Sequence, residues 1–255
     1  MFKALVLIVA ALGIPDLAAA QQPATEATPP IEGAATPWVT VRLHAGPNLN
    51  LMGDWREGLS ALQDRARDSG LQPTGDSCIC MAWGAAALAH VTTRVALGAQ
   101  FEMLRDTRKF SVTDHLQLLD RSASFGFTNE TVVRTTQVIA ALYPREGSRL
   151  HVQLGAGVGS GHTELFAPGT GANGRVRGVL FSTSVGMESR FWYVDAGWRF
   201  HRMNVTQLTV YDLEIDEARD LFDSETDVRE FVQDRHADFT GAWARFGLAF
   251  HFGRR

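Results

Sequence analysis

Ser160, His162 and Glu164 recur at every second position, bringing together the residue types of a nucleophile, a base and an acid. On an extended strand the three share one face, but successive members sit about 6.5–7 Å apart. That is too far for a ready serine–histidine hydrogen bond, and no oxyanion hole accompanies the row. Cys78 and Cys80 form a candidate local disulfide. In a strand their Cα atoms stand about 6.5–7 Å apart, marginal for a bridge, so pairing them needs a turn. Two thiols alone are too few for zinc. The glycines at 155, 157, 159 and 161 make no dinucleotide fingerprint, because Ser160 stands where its third glycine belongs. Residues 212–238 hold eleven Asp or Glu and three Arg, a net charge of −8, so the rest of the chain carries +4. No Asp-x-Asp-x-Asp-Gly frame is present, and the run reads as a solvated acidic face with a short helix capped by Ser224 and Asp227. The expectation is a non-enzymatic chain without a metal or cofactor.

The elements that carry these residues are strands. Period-two alternation dominates from Trp38 onward. At 149–162 Leu150, Val152, Leu154, Ala156 and Val158 face one way, and His151, Gln153 and the glycine row face the other. At 191–202 Trp192, Val194, Ala196, Trp198 and Phe200 oppose Tyr193, Asp195, Arg199 and His201. At 239–252 Phe246, Leu248, Phe250 and Phe252 oppose Trp243, Arg245, Gly247 and His251. Similar patterns at 38–46, 95–104 and 177–188 raise the number, and 81–90 and 131–143 add strands whose faces cannot be assigned. The first of these two is alanine-rich, and the second mixes Thr, Gln and Val. Eight strands result, each close to the roughly 9–11 residues that a tilted strand needs to cross a bilayer. Their connections alternate between long (roughly 47–79, 107–130, 164–176 and 204–238) and short. That is the layout of an up-and-down barrel whose two ends meet different surroundings.

The whole-chain averages hide this. Of 255 residues, 45% are hydrophobic and 20% charged, with a formal net charge of −4. These values exclude wholesale disorder and argue against a general nucleic-acid binder. A mean hydropathy of −0.07 is that of a soluble protein. It is also what averaging a lipid face, a polar interior and acidic loops produces. Residues 1–20 have the short basic start, apolar stretch and small residues (Ala18, Ala20) of a cleaved secretory signal peptide, and 21–37 read as a flexible periplasmic lead-in. Residues 38–252 form the barrel domain.

Alternation alone does not say which face points inward. A soluble lipocalin-like barrel would hide the apolar face and show water the glycine row. A membrane barrel shows lipid the Leu/Val/Phe/Trp face and keeps small and charged residues inside, which suits this chain better. The lumen would then hold Arg42, His44, Gln100, Glu102, His151, Glu188, Asp195, Arg199, His201 and Arg245. An eight-stranded barrel is filled by side chains, and buried charges must pair, so a salt-bridged plug including Asp195 and Arg199 is expected.

The end of the chain adds a resemblance. Arg245, Gly247, Phe250 and Phe252 lie in a final strand with aromatics at alternate positions, similar to the terminal strand signal of bacterial outer-membrane barrels. Gly253-Arg254-Arg255 after the last aromatic is a departure from that pattern. With the eight-strand count, the chain resembles small outer-membrane β-barrel proteins of the OmpA/OmpX/OmpW type over about residues 38–252. The resemblance implies an all-β, eight-stranded antiparallel up-and-down transmembrane β-barrel with long external loops. Short helices are expected in the first and last of these loops, the first capped by Asp54 and Glu57 and ended by Gly70. It implies a monomer in a Gram-negative outer membrane, contacting lipid and lipopolysaccharide and inserted by the barrel-assembly machinery, with no nucleic-acid partner. A structural or surface-interaction role through the loops is the first functional expectation. A narrow, porin-like channel for small solutes is the second, and a lipid-modifying hydrolase built on Ser160 and His162 the third.

Overall fold

The computed structural model describes residues 38–50, 60, 63–64, 67–68, 72–116, 121–167, 170–212 and 236–253. Nine strands are present among the described residues: β1 (Val39–Asn50), β2 (Gln72–His90), β3 (Val95–Leu116), β4 (Arg121–Leu142), β5 (Leu150–Ala167), β6 (Thr170–Glu188), β7 (Trp192–Asp212), β8 (His236–Asp238) and β9 (Gly241–Phe252). Each pairs antiparallel with its neighbour. β9 pairs with both β7 and β1, which closes a ring of eight walls. The short β8 extends the last wall along β7, opposite Arg202 to Asn204. Closure gives every wall strand partners on both sides along the lower part of the ring, while residues 72–80 of β2 and 205–212 of β7 pair on one side among the described residues.

One rim carries the tight turns. At Val91–Arg94 the Thr92 hydroxyl accepts from the Arg94 and Val95 amides. At 143–149 Gly147 adopts φ +68°, a left-handed conformation open to glycine, while the Ser148 amide donates to the Arg145 carbonyl. Both ends of the barrel domain meet at this rim, where the Trp38 amide donates to the Phe252 carbonyl at 3.0 Å.

The opposite rim differs from expectation. Residues 107–130 were expected as an external loop, yet they form a ladder from Thr107↔Glu130 to Leu116↔Arg121, leaving only 117–120 between strands. Residues 164–176 likewise pair to within two residues of the turn. The wall is therefore much taller than one apolar belt. Where the two faces of a strand meet similar surroundings, no period-two apolar signal is needed, and the alternation fades while the backbone ladder continues. Of the first expected helix, residues 60, 63–64 and 67–68 are helical, with Arg67 donating to Asp64 at 2.5 Å one turn away. The expected signal peptide, the lead-in, the rest of this helix and most of the acidic run lie outside the described residues.

Orientation of the faces follows from burial. Leu154, Val158, Val179, Phe181, Phe200 and Phe246 are all exposed on the outside, and Val138 is 71% exposed. On the inside, Arg42, Glu102, Asp195, Arg199 and Arg245 are buried. The two strands without an assignable face resolve too. On β2, Ala82, Ala86 and Leu88 point in; on β4, Thr131, Thr135, Gln137 and Ile139 do. On β4 the inside mixes apolar and polar residues, and on β2 alanines line both faces, which is why neither strand showed its sides in the sequence.

The glycine row of β5 lies inside and answers a crowding problem. A Cβ at Gly157 would fall 2.0 Å from the Thr136 carbonyl oxygen of β4, and one at Gly159 would fall 2.4 Å from His201 Nε2. Close approach of backbone or of a filling ring requires these positions to be bare. Gly157→Ala should destabilise refolding by about 1–3 kcal/mol, since backbone must move, whereas Ser160→Ala on the outer face of the same strand should be neutral. Urea titrations of the two refolded variants check this.

Candidate functional site: a charged plug in the barrel

Alternate residues of a strand point to one side, so a ring of strands delivers their side chains to one narrow interior. The ten lumen residues named from the sequence come from β1, β3, β5, β6, β7 and β9, and all ten are buried inside. Glu102 of β3 is the hub. It accepts from Arg199 Nη2 and from Arg245 Nη1 at 3.2 Å, and His44 Nε2 lies 3.4 Å away. Arg245 in turn grips Asp195 through two contacts, Nε to Oδ1 at 3.3 Å and Nη2 to Oδ2 at 3.1 Å. This fork-to-carboxylate geometry is the strong form of the pair. The face of Trp243 lies 3.7 Å from the Arg245 guanidinium carbon. Arg199 also donates to Asn48 Oδ1 at 3.3 Å.

A second cluster lies nearer the tight-turn rim. Arg42 donates to Glu188 at 2.5 Å, to Gln153 Oε1 at 3.0 Å and to the Tyr143 hydroxyl at 3.3 Å. Its guanidinium also sits 5.1 Å from the Tyr193 ring centre. Gln153 passes the chain on to Gln100 at 3.2 Å. At the rim the Thr40 hydroxyl bridges His90 and His251, and His251 reaches the Ser189 carbonyl. Three arginines (Arg42, Arg199, Arg245) therefore meet three carboxylates (Glu102, Glu188, Asp195), and the interior carries no net charge from them. Asp195 and Arg199 both belong to the network as expected, but not to each other. Asp195 pairs with Arg245, and Arg199 with Glu102.

Above this plug comes an apolar rung, and beyond it the inner row becomes polar again at Asp106, Thr131 and Thr163. The register places Leu104, Val133, Gly161 and Val176 on one rung, and Leu180 and Met203 are also fully buried. Sequence reasoning missed Tyr143, His90 and Asn48, which lie in or beside strands with weak alternation. It also missed Asp106 and Arg108, an inner pair at 3.2 Å assigned to a loop. Their signal was present, since Glu102, Leu104, Asp106 and Arg108 continue one inner row of β3.

The remaining named residues fall on regular strand. Cys78 and Cys80 lie two apart on β2, opposite Arg108 and Asp106, where the strand makes no turn. The side chain of Cys80 is buried, and the extended backbone holds the two positions at a spacing marginal for a bridge. The side chain of Cys78 lies outside the described residues. Ser160 and His162 point outward, away from every group of the plug, and carry no triad geometry. In β9, Arg245 and Gly247 face in, while Phe250 and Phe252 face out and are exposed. Among the described residues, no group of His, Cys, Asp and Glu is placed to hold a metal ion.

No protein-family model matches the chain, and no curated protein matches it. Among solved structures, it is similar to the crystal structure of the outer membrane protein OprG from Pseudomonas aeruginosa, at 10% identity and a TM-score of 0.36. The match covers 86% of this chain and 98% of that one. The reading of the site rests on the chain's own geometry.

Glu102→Gln leaves two buried guanidinium groups short of a partner, and such breaks cost about 3–5 kcal/mol. The expected result is a large fall in the urea midpoint of the refolded barrel. A midpoint equal to that of the parent would show that Glu102 is not the hub.

Proposed function

We propose that the chain is a monomeric outer-membrane β-barrel with a closed lumen, a non-enzymatic scaffold that presents its outer rim at the cell surface. The observation that carries this reading is the inversion of its faces: apolar side chains cover the outside of a ring whose inside is charged, paired and filled. In water such a wall would expose most of its Leu, Val and Phe; in a bilayer it is solvated by hydrocarbon while the charges are neutralised within. No helix among the described residues is long and apolar enough to cross a membrane, and a closed barrel needs none.

The height of the belt supports the same reading. The outward apolar run on β5 from Leu150 to Val158 rises roughly 20 Å once the usual tilt of barrel strands is allowed for, near the height of a lipid-facing band. Phe250 and Phe252 at the end of β9 suit recognition by the machinery that inserts such barrels. The continuous plug, with Leu104, Val133 and Val176 above it, favours a scaffold over a conducting pore.

Four measurements test this. Membrane fractionation should place the chain in the outer membrane, and unheated samples should migrate differently from boiled ones on a gel; a soluble periplasmic protein would overturn the proposal. Leu154→Arg, at mid-belt, should cost about 2–4 kcal/mol when the barrel is folded into vesicles, as expected for a charge facing lipid. In planar bilayers the purified barrel should give no steady current, and a reproducible unitary conductance would replace the scaffold reading with that of a channel.

A further inference from the structure

The outer face changes character abruptly at the top of the apolar belt. On β3, β6 and β7 the first outward residue beyond the belt is an arginine, Arg105, Arg177 and Arg202, and on β4 Arg134 follows the exposed Thr136. On β5 the same level is held by Ser160. Arg105 is engaged by Glu130 at 2.9 Å. Arg134 and Arg177 are different: both are exposed, and neither has an ion-pair partner among the described residues.

The pairing fixes their arrangement. Arg134 of β4 stands directly opposite Ser160 of β5, and Ser160 directly opposite Arg177 of β6. One level further out, His162 of β5 stands opposite Arg175 of β6. Two strand spacings separate Arg134 from Arg177, about 9.5 Å, so long side chains from both sides can close on one group lying over Ser160. A depression of about 320 Å³ lies there, lined by Arg134, Ser160, His162, Arg175, Arg177 and Val132, with Gly161 and Val176 completing it. Beside it β7 carries a bulge, and the extra residue, Thr206, donates its hydroxyl to the Arg175 carbonyl at 3.2 Å. Bulges of this kind re-aim the backbone next to sites. The carboxylates nearest in register, Glu130 and Glu164, lie one level beyond His162, and Glu130 is taken by Arg105.

We propose that Arg134, Arg175 and Arg177, with Ser160 and His162 between them, bind the phosphate of a phosphorylated glycolipid headgroup in the outer leaflet. The chemistry is specific. Guanidinium groups form forked, charge-assisted hydrogen bonds to phosphate oxygens, and a serine hydroxyl and an imidazole add donors at the centre. The location selects a lipid over a dissolved anion. The cluster is continuous with the belt at Val158 and Val179, so a headgroup held there keeps its acyl chains against the apolar wall. The inference rests on the outer-membrane reading above and names the lipid chemistry that this face of the barrel recognises.

The test uses the full chain in nanodiscs of phosphatidylcholine, titrated with diphosphorylated lipid A and read by native mass spectrometry. Heat-modifiability on a gel reports folding in parallel. The parent should retain the lipid. R134Q/R175Q/R177Q should insert and fold but bind at least about tenfold more weakly, a difference of about 1.4 kcal/mol. R94Q/R145Q, which removes charges at the opposite rim, should bind like the parent. Lipid A stripped of phosphate should bind as weakly to the parent as the phosphorylated lipid does to the triple variant, and millimolar inorganic phosphate should not displace the bound lipid. Equal binding by the triple variant, equal binding of the stripped lipid, or displacement by free phosphate would each overturn the proposal while leaving the barrel intact. A parent chain that neither inserts nor shifts on heating would overturn the outer-membrane reading itself.

Discussion

A single buried carboxylate, Glu102, holds together groups that reach it from β1, β7 and β9. Each charge in this interior is removed from water, and that desolvation costs several kcal/mol per ion unless partners repay it. Repayment requires geometry that only a closed ring supplies, because Arg199 and Arg245 lie 97 and 143 residues from Glu102 in sequence. Interior charge balance and ring closure therefore depend on one another. Without closure the charges have no partners, and without paired charges the bore of the ring is a costly place to keep them.

The rest of the architecture follows from this constraint. A polar interior leaves the apolar residues no place but the outside, where they form a continuous belt. A bore filled by guanidinium groups and rings leaves little space near the backbone, so Gly157 and Gly159 must be bare. Beyond the charged plug, the rung of Leu104, Val133 and Val176 fills the bore by packing, and the paired Asp106 and Arg108 follow it on the inner row of β3. On the outer face the apolar belt gives way to exposed arginines, Arg105, Arg134, Arg177 and Arg202.

Much of this was legible in the residues. Strong alternation at 149–162, 191–202 and 239–252 identified strands and separated their two faces, because each of these faces meets a uniform environment. The ten lumen residues came from that pattern and from the similar ones at 38–46, 95–104 and 177–188. Legibility failed where the environment of a face is mixed. On β4, Val133 and Ile139 share the interior with Thr135 and Gln137, so neither side reads as polar. It failed again above the belt, where paired strand at 107–116 and 121–130 read as loop because no hydrocarbon imposes a period there.

The sequence by itself determined strand periodicity, the number of crossings and which residues share a face, since period two is a local property of an extended chain. Only the tertiary structure decided the partners. Asp195 and Arg199 are four residues apart on one face of β7, yet Asp195 binds Arg245 and Arg199 binds Glu102. Likewise Arg134, Ser160 and Arg177 look unrelated until the register sets them side by side. Local pattern fixes the direction in which a side chain points, whereas closure and register, set by hydrogen bonds between distant strands, fix what it meets.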